Sequence, residues 1–298
     1  MASTPALLKH TRILSLALNL PGPAALMRCH RMGATCVKLE PPAGDPMGHY
    51  DAQAYAQLHE GVKVMTADLK TDAGQAVLHR ELAKTDVLLT SFRPSALKKL
   101  GLEWKSLQAR YPSLCHVAIV GAPGERAEEP GHDLTYLADN GLVPGLELPA
   151  TLYADMSGSL MASEAVLQAA LHQSERYAGA GETPRGLYFE VALSDAAAYI
   201  GLPRQWGLTQ PQGAVGGAHA GYRVYPCKDG RVAVAALEPH FAAALCQAAG
   251  ASATDRRAMF NPVVHEAVAR FLLERTCDEL ERIAADADIP LHAMRSQR

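Results

Sequence analysis

The stretch Arg12-Ile13-Leu14-Ser15-Leu16-Ala17-Leu18, then Pro21-Gly22-Pro23, Ala24 to Met32, Gly33 and Ala34-Thr35-Cys36-Val37-Lys38-Leu39, decides the fold. Its first seven residues are almost continuously apolar, the pattern of a strand covered on both faces. The Pro-Gly-Pro triplet breaks that strand, Ala24 to Met32 has helical character, and Gly33 stops the helix. Ala34 to Leu39 then reads as a second strand. A strand, a helix and a strand in so short a span predict a parallel pair joined by a crossover.

The alternation continues on the carboxyl side. Val64 to Asp68 reads as a strand, Asp72 to Ala83 as a helix, Val87 to Leu89 as a strand, Ala96 to Leu100 as a short helix, and Leu114 to Val120 as a strand. This predicts an α/β fold, a Rossmann-like doubly wound parallel sheet. Leu160 to Gln173 is a long helix with Leu160, Leu167 and Leu171 on one stripe, and Leu187 to Leu193 returns as a strand. Pro203, Pro211, Gly213, Gly216 and Gly217 mark residues 201–221 as a linker between a large domain, 1–200, and a small one, 222–298. In the latter, Tyr222 to Pro226 and Arg231 to Ala235 flank the turn Lys228-Asp229-Gly230, and Pro239 to Ala287 is helix-rich, which makes it α+β.

Composition narrows the function classes. A chain of 298 residues, 48% hydrophobic and 20% charged, is globular rather than fibrous or disordered. Its formal net charge of −3 supplies no field for nucleic acid or an anionic membrane, so an anionic ligand needs a local basic cluster. Six scattered cysteines show neither a C-x-x-C pair nor zinc-like spacing, predicting reduced core thiols and no metal centre. Ile13 to Leu20 is too short to span a bilayer, and the start Met-Ala-Ser-Thr-Pro has no basic leader, so the expected location is the cytoplasm.

Four constellations can carry chemistry. In Gly131-His132-Asp133-Leu134-Thr135-Tyr136, Asp133 reads as a helix N-cap. His132 sits beside it, where the helix dipole favours the neutral imidazole of a general base. In Tyr153-Ala154-Asp155-Met156-Ser157-Gly158-Ser159, Asp155 is either a cap or an acid beside free backbone N–H groups, an arrangement suited to carbonyl chemistry. Glu238, in Leu237-Glu238-Pro239-His240, is either a dipole-favoured surface charge or the partner of a histidine. Lys38, Lys63 and Arg93 lie near strand ends, where ligands of open α/β sheets gather; Arg93 is best placed for phosphate. Neither G-x-G-x-x-G nor G-x-x-x-x-G-K occurs.

In order and content, Leu20-Pro21-Gly22-Pro23, Gly33-Ala34 to Pro42, Thr66 to Lys70, Phe92-Arg93-Pro94 to Leu102, Gly131-His132-Asp133, the Asp155 junction and Glu238-Pro239 resemble the class III CoA-transferases. That family also contains α-methylacyl-CoA racemases, and His132 with Glu238-Pro239-His240-Phe241 resembles the racemase branch. The resemblance implies an interlocked homodimer that takes a CoA thioester as substrate and needs no resident cofactor. It implies His132 and Asp155 as the two proton-transfer groups at the carbon next to the thioester, with Glu238 orienting His132. It gives Arg93, Lys38, Lys63 and Met156 to CoA, and the N–H groups near Asp155 and Met156 to the enolate. Two other activities fit the same motifs: a CoA-transferase using Asp155 as nucleophile through a mixed anhydride, and a non-catalytic CoA-thioester-binding subunit.

Overall fold

The computed structural model describes residues 5–174, 185–252 and 257–295; residues 1–4, which include most of the start read for a leader, lie outside them. Two compact units divide the chain, Met1–Gly201 and Leu202–Arg298. In the first, the order is β1 (Arg12–Ser15), α1 (Pro21–Arg31), β2 (Thr35–Glu40), α2 (Met47–Tyr50), α3 (Ala52–Leu58), β3 (Lys63–Thr66), α4 (Asp72–Leu82) and β4 (Val87–Thr90). Then come α5 (Pro94–Lys99), α6 (Trp104–Arg110), β5 (Cys115–Val120), α7 (Asp133–Asp139), α8 (Tyr153–Ser174), β6 (Tyr188–Ala192) and α9 (Leu193–Gln205), which runs on past the end of the first unit. Residues 201–205 of the expected linker are therefore helical.

The six strands form one sheet in the order β3-β2-β1-β4-β5-β6, every pair parallel. This is the doubly wound arrangement, with the direction of strand addition reversing between β1 and β4. Side chains alternate between its two faces as strand geometry requires. Ile13, Val87, Leu89, Cys115, Val117 and Ile119 pack with Leu26 and Cys29 of α1 and Ala162, Ala165, Val166 and Ala169 of α8. Leu14, Val37, Leu39 and Leu88 pack with Leu78 and Leu82 of α4, Leu97 of α5 and Leu107 of α6. The small residues of α8 let its backbone lie close to the sheet and α1, so its buried face is Ala162, Ala165, Val166 and Ala169, whereas Leu160 and Leu171 of the expected stripe are exposed.

Capping follows elementary hydrogen-bond accounting. Asp51 accepts from the N–H groups of Gln53 and Ala54 to start α3, and Thr71 accepts from Gly74 to start α4. Pro21 and Pro23 sit inside the first turn of α1 rather than before it, since the N–H that proline lacks has no helical partner at that position. Likewise α8 begins at Tyr153, seven residues ahead of the expected start, so Asp155 lies in its first turn.

The second unit has an antiparallel sheet, β7 (Tyr222–Cys227), β8 (Gly230–Ala235) and β9 (Leu291–Arg295), with β8 in the middle. The β7–β8 hairpin is the one read from the Asp-Gly turn; β9 was not foreseen. Helices α10 (Pro239–Ala248), α11 (Pro262–Leu273) and α12 (Cys277–Ala287) cover the sheet through Leu245, Val268, Leu272 and Leu280. All six cysteines are buried and free.

The approach of α1 to the segment that follows β1 is tight enough to test. A Cβ built on Gly22 would lie 2.1 Å from the Cβ of buried Ala17. Gly22→Ala is expected to destabilise the protein by about 1–3 kcal/mol through overpacking. Urea titration will show a lower midpoint at unchanged slope, and adding Ala17→Gly will recover part of the loss.

Candidate active site

The carboxyl ends of β1, β4 and β5 open onto a cavity of about 290 Å³. It lies where the strand order reverses, the crevice in which open α/β sheets bind ligands. Leu18, Asn19 and Pro21 reach it from the turn after β1, Ser91 and Arg93 from the segment after β4, and Gly121 from the end of β5. His132 and Tyr136, at the start of α7, and Asp155 in α8 complete the wall. Three of the residues singled out from sequence, Arg93, His132 and Asp155, thus meet in one cavity.

His132 rather than Asp133 is the N-cap of α7. Thr135 fixes this turn: its hydroxyl donates to the His132 carbonyl at 2.7 Å and accepts the His132 N–H at 3.1 Å. Asp133 turns inward instead, 5% exposed, and its Oδ1 accepts the backbone N–H of Asp155 at 2.9 Å. Burial, and then the neighbouring Asp133 charge, push the Asp155 carboxyl up to about 6. Perturbation of this kind, in a cavity, marks a group suited to proton transfer near neutral pH. Arg93 is exposed and, among the described residues, its guanidinium has no ion-pair or hydrogen-bond partner, which leaves its planar fork open to a phosphate or carboxylate.

The other candidates lie outside this cavity. Lys38 is fully buried, and its ammonium contacts Asp45, Glu40 Oε1 at 3.1 Å and His59 Nε2 at 2.8 Å, so all three donors are used within the protein. It leaves the anion-binding set because a cation so enclosed has no N–H for a phosphate. Lys63 is exposed at the amino end of edge strand β3 rather than beyond a carboxyl end. Met156 lines a different, apolar cavity of about 610 Å³, with Met27, Leu142, Leu160 and Ile200. The N–H groups expected to face an enolate are occupied, that of Asp155 by Asp133 and that of Met156 by the Leu152 carbonyl at 3.0 Å. Glu238 belongs to the second unit, where it is exposed at the start of α10 without a side-chain capping bond.

Folding also assembles two triads of potential metal ligands that linear spacing does not show. Glu40, Asp45 and His59 converge within 4.8 Å, with the Lys38 ammonium bonded into the group. Cys227, Asp229 and Cys277 converge within the same distance in the second unit. Asp133 as the source of charge on Asp155, and Tyr136, are the site residues missed from sequence. The signal for Tyr136 was its position four residues after His132, one turn along the same helix face.

The Lys38 cluster and Asp155 give opposite stability expectations. Lys38→Met strips the cation from buried carboxylates and is expected to destabilise by about 3–5 kcal/mol in urea titrations. The folded-state pKa of Asp155 lies above its ordinary 3.8, so the fold disfavours the ionised form; this penalty is absent below pH 4, grows between 4 and 6, and is complete above 6. Asp155→Asn is therefore expected to stabilise the protein at pH 7.5, by at most about 3 kcal/mol at roughly 1.4 kcal/mol per pH unit, and so to raise its melting temperature there and not at pH 3.5.

Comparison with known proteins agrees with this architecture. A probable fatty acyl-CoA transferase of Mycobacterium tuberculosis is 28% identical over 205 residues, 61% of this chain and 50% of that protein. The α-methylacyl-CoA racemase of Homo sapiens is 28% identical over 239 residues, 74% of this chain and 59% of the racemase. The chain thus spans about half the length of these curated relatives. The crystal structure of a CAIB/BAIF family protein from Brucella suis superposes with a TM-score of 0.78 at 20% identity, covering 96% of this chain and 83% of that one, and so shares the fold. The sequence profile of CoA-transferase family III matches residues 8–298, and the chain belongs to that family.

Proposed function

We propose that the protein is an acyl-CoA enzyme of the α-methylacyl-CoA racemase type, moving a proton on and off the carbon next to a CoA thioester. The observation that carries this reading is the convergence of His132 and Asp155 on one cavity, beside Arg93, a cation unpaired among the described residues. A proton α to a thioester is weakly acidic, so its removal needs a base, a donor for the opposite face and stabilisation of the enolate. Asp155, with its carboxyl near 6, gives up its proton just below neutrality and takes one back readily. His132 supplies the second face, and Arg93 holds an anionic group of the CoA. The apolar cavity beside Met156 offers room for an acyl chain. The exposed apolar side chains of Met156, Leu160 and Leu171 on α8 suit pairing of two copies.

A CoA-transferase is the second reading, favoured by the relative that carries the name acyl-CoA transferase. Asp155 would then attack the thioester carbonyl, releasing CoA thiolate and leaving a mixed anhydride.

Incubation of 2-methylacyl-CoA thioesters in D₂O, followed by mass spectrometry, separates the two. The racemase reading expects deuterium at the α-carbon at a rate that rises with pH through about 6, as Asp155 ionises, and that vanishes in Asp155→Asn. No exchange with any thioester, together with a hydroxamate formed at Asp155 when hydroxylamine is added with the thioester, would replace it by the transferase.

A further inference from the structure

Proton abstraction next to a thioester places negative charge on the carbonyl oxygen, and something in the cavity must donate a hydrogen bond to it. The N–H groups of Asp155 and Met156 are already paired. We propose that the Tyr136 hydroxyl is the donor to the thioester oxygen, a catalytic role for a side chain that this fold aims into the cavity and leaves unpaired. The proposal rests on the acyl-CoA reading of the site.

The tyrosine is set up for this by three independent features. Its ring is 7% exposed and lines the cavity that holds Asp155, His132 and Arg93. Other buried or half-buried tyrosines spend their hydroxyls internally, Tyr55 on Glu40 at 2.9 Å, Tyr225 on the Ala220 carbonyl at 2.7 Å and Tyr111 on the His79 carbonyl at 3.4 Å, whereas tyrosines without such a bond, such as Tyr50 and Tyr199, are exposed to water. The Tyr136 hydroxyl has no such partner among the described residues, and a polar group on a buried ring is ordinarily matched.

Its direction is fixed by backbone rather than by a bond. A Cβ on Gly121 would fall 2.3 Å from the Tyr136 hydroxyl oxygen and one on Gly131 would fall 2.6 Å from it. Two cavity-lining strands of chain therefore pass the hydroxyl closely because neither carries a side chain there, and they confine it without consuming its proton. Burial first, and then the Asp155 charge, push the phenol above its ordinary pKa, which keeps it a donor at neutral pH; Arg93 works in the other direction.

The step balances without another reagent. The Asp155 carboxylate takes the α-proton, the C–H electron pair becomes the carbon–carbon double bond of the enolate, and the carbonyl π pair moves onto oxygen. Tyr136 keeps its proton and donates it as a hydrogen bond that strengthens as that charge arrives. Delivery of a proton by the His132 side chain to the other face completes the inversion.

Tyr136→Phe keeps the ring and deletes the donor. The probe is acetoacetyl-CoA, whose enolate absorbs in the near ultraviolet, so the enolate fraction of the bound ligand is read at fixed pH. Wild-type protein is expected to raise that fraction above the value in buffer; Tyr136→Phe is expected to bind the probe within a few-fold of wild type but lose the rise. α-Deuterium exchange should fall about 100- to 1000-fold in kcat with KM little changed. If the wild-type protein raises the enolate fraction and Tyr136→Phe does so equally, the Tyr136 assignment is overturned while the acyl-CoA reading stands. If the wild-type protein does not bind the probe, or binds it without raising the fraction, the acyl-CoA reading falls and takes the assignment with it. A lowered melting temperature in Tyr136→Phe with an unchanged enolate fraction marks a packing role and also overturns the assignment.

Discussion

The Oδ1 of Asp133 accepts the backbone N–H of Asp155 at 2.9 Å, and this contact joins the starts of α7 and α8. Both helices have an unpaired set of N–H groups at their first turns, and here one of them is satisfied by a carboxylate from the other helix. The bond therefore sets two things at once. It holds Asp155 at the floor of the cavity, and it brings a second acidic side chain close enough to oppose ionisation of the first. Burial raises the Asp155 carboxyl most, and the Asp133 charge that adds to it is placed there by a structural necessity, the closure of a helix end. The same bond takes that N–H out of the set of donors free to meet a ligand in the cavity.

What was legible in the sequence follows the range over which the relevant forces act. Strands β1, β4 and β5 are buried on both faces and announce themselves as short apolar runs, and their alternation with helices implies the parallel sheet. The grouping of Arg93, His132 and Asp155 followed from family resemblance and from the rule that ligands collect beyond strand carboxyl ends. The start of α8 was misplaced because Tyr153-Ala154-Asp155 reads as a capping junction; the helix instead begins there and caps itself through tertiary contact. Strand β9 pairs with β8 across more than fifty residues, and a five-residue segment following Pro290 gives no local sign of that pairing.

Lys38 shows most clearly what local reasoning misses. Its strand position indicates a buried face, but its charge partners, Asp45 and His59, lie 7 and 21 residues away. Only folding shows that the ammonium is enclosed. The network also reaches the cavity. Asp45 Oδ1 accepts the backbone N–H groups of Met47 and Asn19, both at 2.9 Å, and Asn19 adopts a φ of 65° in the turn after β1. A non-glycine residue in that conformation needs outside support. Through Asp45, a buried cation holds one lip of the cavity in place while never meeting solvent.

Strand β3 ends the parallel sheet on one side, and among the described residues Lys63, Val64 and Thr66 on it are exposed. Such an edge offers a row of backbone donors and acceptors to any extended chain, a standing invitation to intermolecular β-pairing. Lys63 places a charge on that edge, where an incoming strand would have to desolvate it. That desolvation cost counts against sheet-to-sheet joining wherever chains are crowded together.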